Sequence, residues 1–333
     1  MEKLLFKNDK YSNSKISWKK ISKDKEKWIN HKILCLFEKK ISLKEIKERD
    51  TKLINSKVFL ITDKFNNKII LCEKKKSSFH NSLILEEVYN NSKYYSLMPY
   101  IIGDHFNGSF KHLKILVERL PEQIFLQSKI NDPSNQESFD YKETINKANN
   151  FLNLYASKYS TLLKENKILH KKINKLFLEN LKLNKLNLHI KDEHKKLYLN
   201  IDLHPHNIII DNVKKTAAII DHDSSFLVHP EIAIGFHLFK ISRHIFLKNK
   251  KVKISSLKEY LNKYIKELNR LLAAGNNDLK LSYLLDAAVV EIFRRIIFII
   301  DDYFVNKNKQ WLSDMSMHSA AFFESKLLKE KLA

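Results

Sequence analysis

Glycine, proline and cysteine are all scarce in this 333-residue chain, which holds four glycines, five prolines and two cysteines. The glycines (Gly103, Gly108, Gly235 and Gly275) cannot form a G-x-G-x-x-G turn. That excludes the usual glycine-rich loop whose backbone N–H groups surround phosphates. Cys35 and Cys72 are too few and too distant for a disulfide framework, so they read as reduced core residues of a cytoplasmic protein. Met1 to Ser12 holds no apolar run of the signal-peptide kind. The most apolar stretch, Leu284 to Phe304, is interrupted by Asp286, Glu291, Arg294 and Arg295, which argues against a membrane span.

Positive charge, by contrast, is plentiful. The net charge is +22, and 44% of residues are hydrophobic, ample for a large buried core. Such a surface could track nucleic-acid phosphates, dock on an anionic membrane or draw in an acidic substrate. Runs such as Lys74-Lys75-Lys76 are short and scattered, however, and no arginine-rich or aromatic-interleaved patch is present. Lys, Asn and Ile are abundant everywhere, so the charge reads as compositional. Nucleic acid is not expected as a partner, while peripheral contact with an anionic surface stays open.

The first third has strand character over Ser42 to Thr51, Lys57 to Thr62, Lys68 to Lys74 and Tyr94 to Tyr100. Apolar residues at helical spacing follow over Lys142 to Lys182, Leu257 to Ala274, Leu281 to Tyr303 and Met315 to Leu332. The expected fold is α+β with two lobes: a small sheet lobe over 1–100 and a large, mainly helical lobe over 101–333. The boundary is placed near Met98 to Gly103.

The most informative stretch is Leu199-Asn200-Ile201-Asp202-Leu203-His204-Pro205-His206-Asn207, followed by Ile208-Ile209-Ile210 and then Ile219-Ile220-Asp221. Two short buried strands joined by the polar turn Asp211 to Lys215 would form a hairpin with Asn207 and Asp221 at one end. Mg²⁺ takes oxygen ligands and keeps several waters, so one amide and one carboxylate beside phosphates suffice to hold it. A second carboxylate, Asp202, could then accept a hydrogen bond from an attacking hydroxyl.

These residues resemble the catalytic loop and metal motif of the aminoglycoside phosphotransferase and choline kinase-like family, whose usual pattern is H-G-D-L-H-P-x-N and then I-D-F/W. The resemblance implies a protein-kinase-like fold, ATP and Mg²⁺ as cofactors, Asp202 as catalytic base, and Asn207 and Asp221 as metal ligands. The chain departs from the pattern at Asn200 for His, at Ile201 for Gly and at His222 for the aromatic residue. That His normally braces the loop, and an Asn can still hydrogen-bond. Kinases acting on lipopolysaccharide sugars carry a comparable D-L-x-x-H-N and I-D-F-D pattern.

In kinase-like folds a strand lysine contacts the phosphates and is steadied by a glutamate. Period-2 alternation puts Cys72 and Lys74 on one face of a strand, so Lys74 is the candidate, with Glu86 or Glu87 as its partner. Met98 and Tyr100, in Leu97-Met98-Pro99-Tyr100, mark a hinge that would meet the adenine edge. Without a glycine loop, the turn near Lys52 to Ser56 would have to cover the phosphates. His204, His206, His222 and His229 match no standard zinc spacing. Glu291 and Arg295 form an i,i+4 pair; with Arg294 they could alternatively face the acceptor. Trp311 and Phe322-Phe323 read as core.

The expected activity is an ATP-dependent kinase acting on a hydroxyl of a small molecule: a sugar, amino sugar or amino alcohol. The basic surface tilts the choice toward a sugar or surface-glycan precursor. The alternative is a catalytically weak, nucleotide-binding regulator or scaffold, to which Asn200 and the missing glycine loop point.

Overall fold

The computed structural model describes residues 17–49, 57–74, 85–129, 138–154, 195–222, 224–249, 251–272, 278–304 and 315–332. Backbone contacts divide the chain into two units. One comprises Asn13–Gly103 with Ile220–Asp223, and the other Asp104–Ile219 with Ser224–Ala333.

The N-terminal unit is an antiparallel sheet of β1 (Trp18–Lys20), β2 (Leu43–Arg49), β3 (Lys57–Asp63), β4 (Lys68–Lys74), β5 (Glu86–Asn90) and β6 (Lys93–Pro99), in the order β1-β2-β3-β4-β6-β5. Helix α1 (Lys23–Phe37) starts where the Ser22 side chain accepts a bond from the Lys25 N–H, the usual N-cap arrangement. Its Ile29, Ile33 and Phe37 fall one turn apart and are buried against Ile46, Phe59, Ile61, Leu71, Tyr95 and Leu97 of the sheet. Each such side chain contributes about 1.5–3 kcal/mol by leaving water.

Alternation assigns the other sheet face. The register pairs Val58 with Cys72, Cys72 with Ser96, and Ser96 with Glu87, so these four share a row away from α1. Lys74 pairs with Tyr94, and Ile70 with Met98, on that same face.

Two expectations need correction here. Helix α1 is absent from the strand-only reading of the first third, and β5 carries Glu86 and Glu87 on a strand of its own. Cys35 is not core: it lies on the exposed side of α1, with Sγ 3.4 Å from His31 Nε2, while Cys72 is buried. The strand expected to reach Thr51 is described to Arg49, and the turn near Lys52 to Ser56 lies outside the described residues.

The C-terminal unit is mainly helical. It contains α2 (Phe110–Ser128), α3 (Tyr141–Leu154), α4 (Pro230–Lys248), α5 (Ile254–Leu272), α6 (Leu281–Phe304) and α7 (Met315–Leu332). Two small sheets accompany them. In one, β9 (Ile208–Asp211) lies between β7 (Asp104–His105) and β10 (Thr216–Ile219); in the other, β8 (Leu197–Asn200) pairs with β11 (Ser225–Val228). All the pairings are antiparallel. The helix expected to run to Lys182 is described to Leu154, and Trp311 also lies outside the described residues. Phe322 is buried and stacks edge-on against Phe293 at 5.1 Å.

Helix α4 forms the centre of this unit and is buried on nearly every side. Gly235 lets it meet α6 closely, since a Cβ there would stand 2.1 Å from the Leu284 carbonyl oxygen. Buried charges on these helices are paired, Arg243 with Glu324 at 2.5 Å and Lys329 with Asp286 at 2.6 Å. No described helix is long and apolar enough to cross a membrane.

Candidate active site

Strand β8 ends at Asn200, and the chain then turns through Ile201-Asp202-Leu203-His204 into a short 3₁₀ turn, Pro205–Asn207. The turn begins at His204, whose Nδ1 accepts the His206 N–H at 3.2 Å. Pro205 occupies its first position, where a missing N–H carries no penalty. Asn207 then leads into β9. The hairpin forms as expected: Ile208 pairs with Ile219 at its open end and Asp211 with Thr216 at its closed end. Asp211 Oδ1 accepts the N–H groups of Val213 and Lys214 at 2.8 and 3.0 Å, which closes the turn. Arg119 of α2 donates to the Lys215 carbonyl at 3.2 Å and holds the turn from outside.

Every residue of the loop is fixed by a different contact. Asn200 is buried, and its Oδ1 accepts the Asp202 N–H at 2.8 Å, so the amide braces the loop. The Ile201 N–H donates to the Ser224 carbonyl, and the Ile201 carbonyl accepts from Arg295 Nη2 at 3.3 Å. The Leu203 carbonyl lies 3.2 Å from His237 Nδ1, and His237 Nε2 lies 3.1 Å from Tyr264 Oη. A carbonyl only accepts, so His237 carries its proton on Nδ1 and accepts the tyrosine hydroxyl's hydrogen bond on Nε2. Burial keeps this imidazole neutral, with its pKa lowered to about 4 despite the Leu203 carbonyl.

Asp202 itself is 31% exposed and faces cations. Arg295 Nη2 donates to its Oδ1 at 2.9 Å, and His204 Nε2 stands 3.8 Å from Oδ2. Burial would raise this carboxyl, but Arg295, followed by His204 and Lys240, outweighs it and holds the pKa at about 2. Burial lowers the His204 imidazole to about 4, so Nε2–H points at Asp202 from a neutral ring. Arg295 is in turn fixed by Glu291, whose Oε1 accepts its Nε–H at 2.7 Å, and by the Phe236 ring at 4.6 Å. Arg294 forks onto the same Glu291 at 2.7 and 2.8 Å and lies over Phe139. The i,i+4 pair read from the sequence is present; its reach to Asp202 was not legible there. His318 of α7, near Lys240, Arg295 and Asp202, is likewise pushed far down by burial.

Asn207 Nδ2 donates to the Asp202 carbonyl at 3.0 Å. The amide is therefore oriented, and its carbonyl oxygen is the atom left for a cation. No described cluster of three His, Cys, Asp or Glu side chains could hold a metal by itself.

The remaining candidates belong to the N-terminal unit. Asp221 follows β10 by two residues in a left-handed conformation with φ of 63°. Lys74 ends β4 on the sheet face it shares with Cys72 and Glu87. Glu87 Oε1 accepts the Ser96 hydroxyl at 2.6 Å, and Glu86, on the α1 face, binds Lys39 at 2.5 Å. Met98 lies on the Lys74 face, and Tyr100 follows β6, its ring carrying Lys68 at 5.1 Å. Arg49 was not singled out in the sequence, yet its guanidinium lies within electrostatic reach of Asp221 and Cys72.

No family model matches the chain, and no curated protein sequence matches it. Solved structures do. A choline kinase from Cryptosporidium parvum superimposes with a TM-score of 0.60 at 12% identity, over 92% of this chain and 96% of that one. A spectinomycin phosphotransferase in complex with ADP and spectinomycin gives 0.58 at 14%, over 92% and 98%. A type I macrolide 2'-phosphotransferase gives 0.56 at 9%, over 91% and 98%. At such identities the likeness establishes the fold. The chain has the protein-kinase-like α+β fold of these proteins, across nearly its whole length.

Proposed function

We propose that this chain is an ATP- and Mg²⁺-dependent kinase that transfers the γ-phosphoryl group to a hydroxyl of a small molecule, as a member of the aminoglycoside phosphotransferase and choline kinase-like family. The observation that carries this reading is the Asp202 loop. Its carboxylate is ionised and partly exposed, its backbone is fixed by Asn200, and Asn207 is oriented by the same loop. Both the fold and the motif agree with it.

Asp202 would accept the acceptor hydroxyl's hydrogen bond on the oxygen that Arg295 leaves open. With its pKa near 2, Asp202 is a weak base at neutral pH. That suits a loose phosphoryl-transfer transition state, in which the nucleophile is oriented early and loses its proton late. Asn207 and Asp221 are the proposed Mg²⁺ ligands, and an ion held there would supply positive charge against the charge that develops on the phosphates. Lys74, steadied by Glu87, is assigned to the phosphates and Met98 to the adenine edge. Glu86, engaged by Lys39 on the opposite face, is the weaker partner for Lys74.

The cations around Asp202 bear on the acceptor. Arg295 and Lys240 would repel an amino alcohol or amino sugar, so a sugar or surface-glycan precursor is favoured. The test is Mg²⁺-dependent ATP turnover against a pooled library of sugars, amino sugars and amino alcohols, beside Asp202→Ala. Product that vanishes in the variant supports the kinase. Tight nucleotide binding with no product from any acceptor favours a nucleotide-binding regulator, and no nucleotide binding removes both.

A further inference from the structure

Arg49 is the last residue of β2 and pairs with Trp18 of β1. Glu48 pairs with Phe59 on the α1 face, so Arg49 projects from the opposite face, that of Val58, Cys72, Ser96 and Lys74. Its Nε is buried and has no hydrogen-bond partner among the described residues. Burial pushes the guanidinium pKa down, and the Asp221 carboxylate with the Cys72 thiol pulls it partly back up. An unmade bond of this kind costs roughly 1–3 kcal/mol, more for a charged group. A ligand that takes up the guanidinium is one way to recover that cost.

We propose that Arg49 binds the phosphate groups of the nucleotide, supplying from a side chain the contacts that a glycine-rich loop supplies from backbone N–H groups. The proposal rests on the kinase reading above. It also explains how a chain with four glycines, none near residue 49, handles a triply or quadruply charged ligand. A guanidinium offers a planar fork that matches phosphate oxygens two at a time, whereas lysine offers a point charge. Beside Asp221 it also offsets a carboxylate that would otherwise repel those phosphates until a cation is bound.

The test compares ADP with adenosine, which share a base and ribose and differ in phosphates. Dissociation constants are measured by calorimetry for the wild type, Arg49→Lys and Arg49→Met, with thermal melts beside them. Arg49→Met should weaken ADP about 10- to 100-fold and leave adenosine within about twofold, with Arg49→Lys in between. The melting temperature should hold or rise, because the unmet donor is gone. Equal weakening of ADP and adenosine, or ADP binding unchanged in Arg49→Met, would overturn the assignment of Arg49 while leaving the kinase reading intact. Failure of the wild type to bind ADP would remove the kinase reading and this proposal together.

Discussion

Arg295 and Asp202, on a helix and a loop far apart in sequence, meet at 2.9 Å, and the same guanidinium is held by Glu291 at 2.7 Å. The pairing orients the carboxylate and lowers its pKa at once. Arg295→Gln should therefore cut kcat about 100-fold, with the KM for ATP little changed. The acid limb of the pH–rate profile should move upward, because the Asp202 carboxyl loses its main stabilising charge. Arg295→Lys keeps the charge without the fork and should recover part of kcat. Steady-state kinetics between pH 4 and 8 decide it, and an acid limb that stays in place would count against the pairing.

Asn200 replaces a histidine of the resembled pattern, and its Oδ1 accepts the Asp202 N–H. Asn200→Ala leaves that N–H without an acceptor, at a cost of about 1–3 kcal/mol. Asn200→Asp restores an acceptor. We expect the alanine variant to lose both stability and kcat, and the aspartate variant to keep more of both. Urea denaturation beside turnover measures the two effects; equal values for the two variants would remove the bracing role.

His204 and His237 both have pKa values of about 4 in the folded protein, below the unfolded value of about 6.5. The unfolded chain therefore binds the extra protons first. Stability should be full above pH 6.5 and fall as pH drops toward 4, by up to about 1.4 kcal/mol per pH unit for each histidine. Asp202 works in a lower window: its depressed pKa stabilises above about pH 4, and that contribution is lost toward pH 2. Urea midpoints at pH 7.5, 6 and 5 should decline, and His237→Phe should flatten the slope. A flat wild-type profile would contradict the buried neutral tautomer.

Gly235 faces the Leu284 carbonyl, where an added Cβ would stand at 2.1 Å. The obstacle is backbone, so relief requires α4 and α6 to separate. Gly235→Ala should destabilise by about 1–3 kcal/mol. An unchanged melting temperature would show that the helices can part without loss.

The hairpin of β9 and β10 was legible because short β-branched runs with a polar turn between them carry a local signal. The Ile208 to Ile219 pairing followed directly from that pattern. Helix α4 was missed for a physical reason: buried on nearly every side, it has no polar face and hence no 3.6-residue alternation to detect. Helix α2 carries Pro121 in its interior, which reads as a breaker. The Glu291–Arg295 pair was visible as an i,i+4 spacing, but nothing local tells that Arg295 turns onto Asp202. Such a contact is a product of tertiary packing and leaves no trace in spacing. Arg49 was passed over for a similar reason: one cation among many, distinguished only by the strand register that places it on the Lys74 face.

The ties on residues 200–203 have a consequence for time as well as for geometry. Asn200 bonds within the loop, Ile201 binds Ser224 and Arg295, and Leu203 binds His237, so α4 and α6 each hold one carbonyl. The N–H groups of Ile201 and Asp202 donate to the Ser224 carbonyl and to Asn200 Oδ1, so these amide hydrogens should exchange with solvent only when the loop itself opens. In exchange kinetics the loop would then report its own opening, which the two helices restrain through the carbonyls they hold.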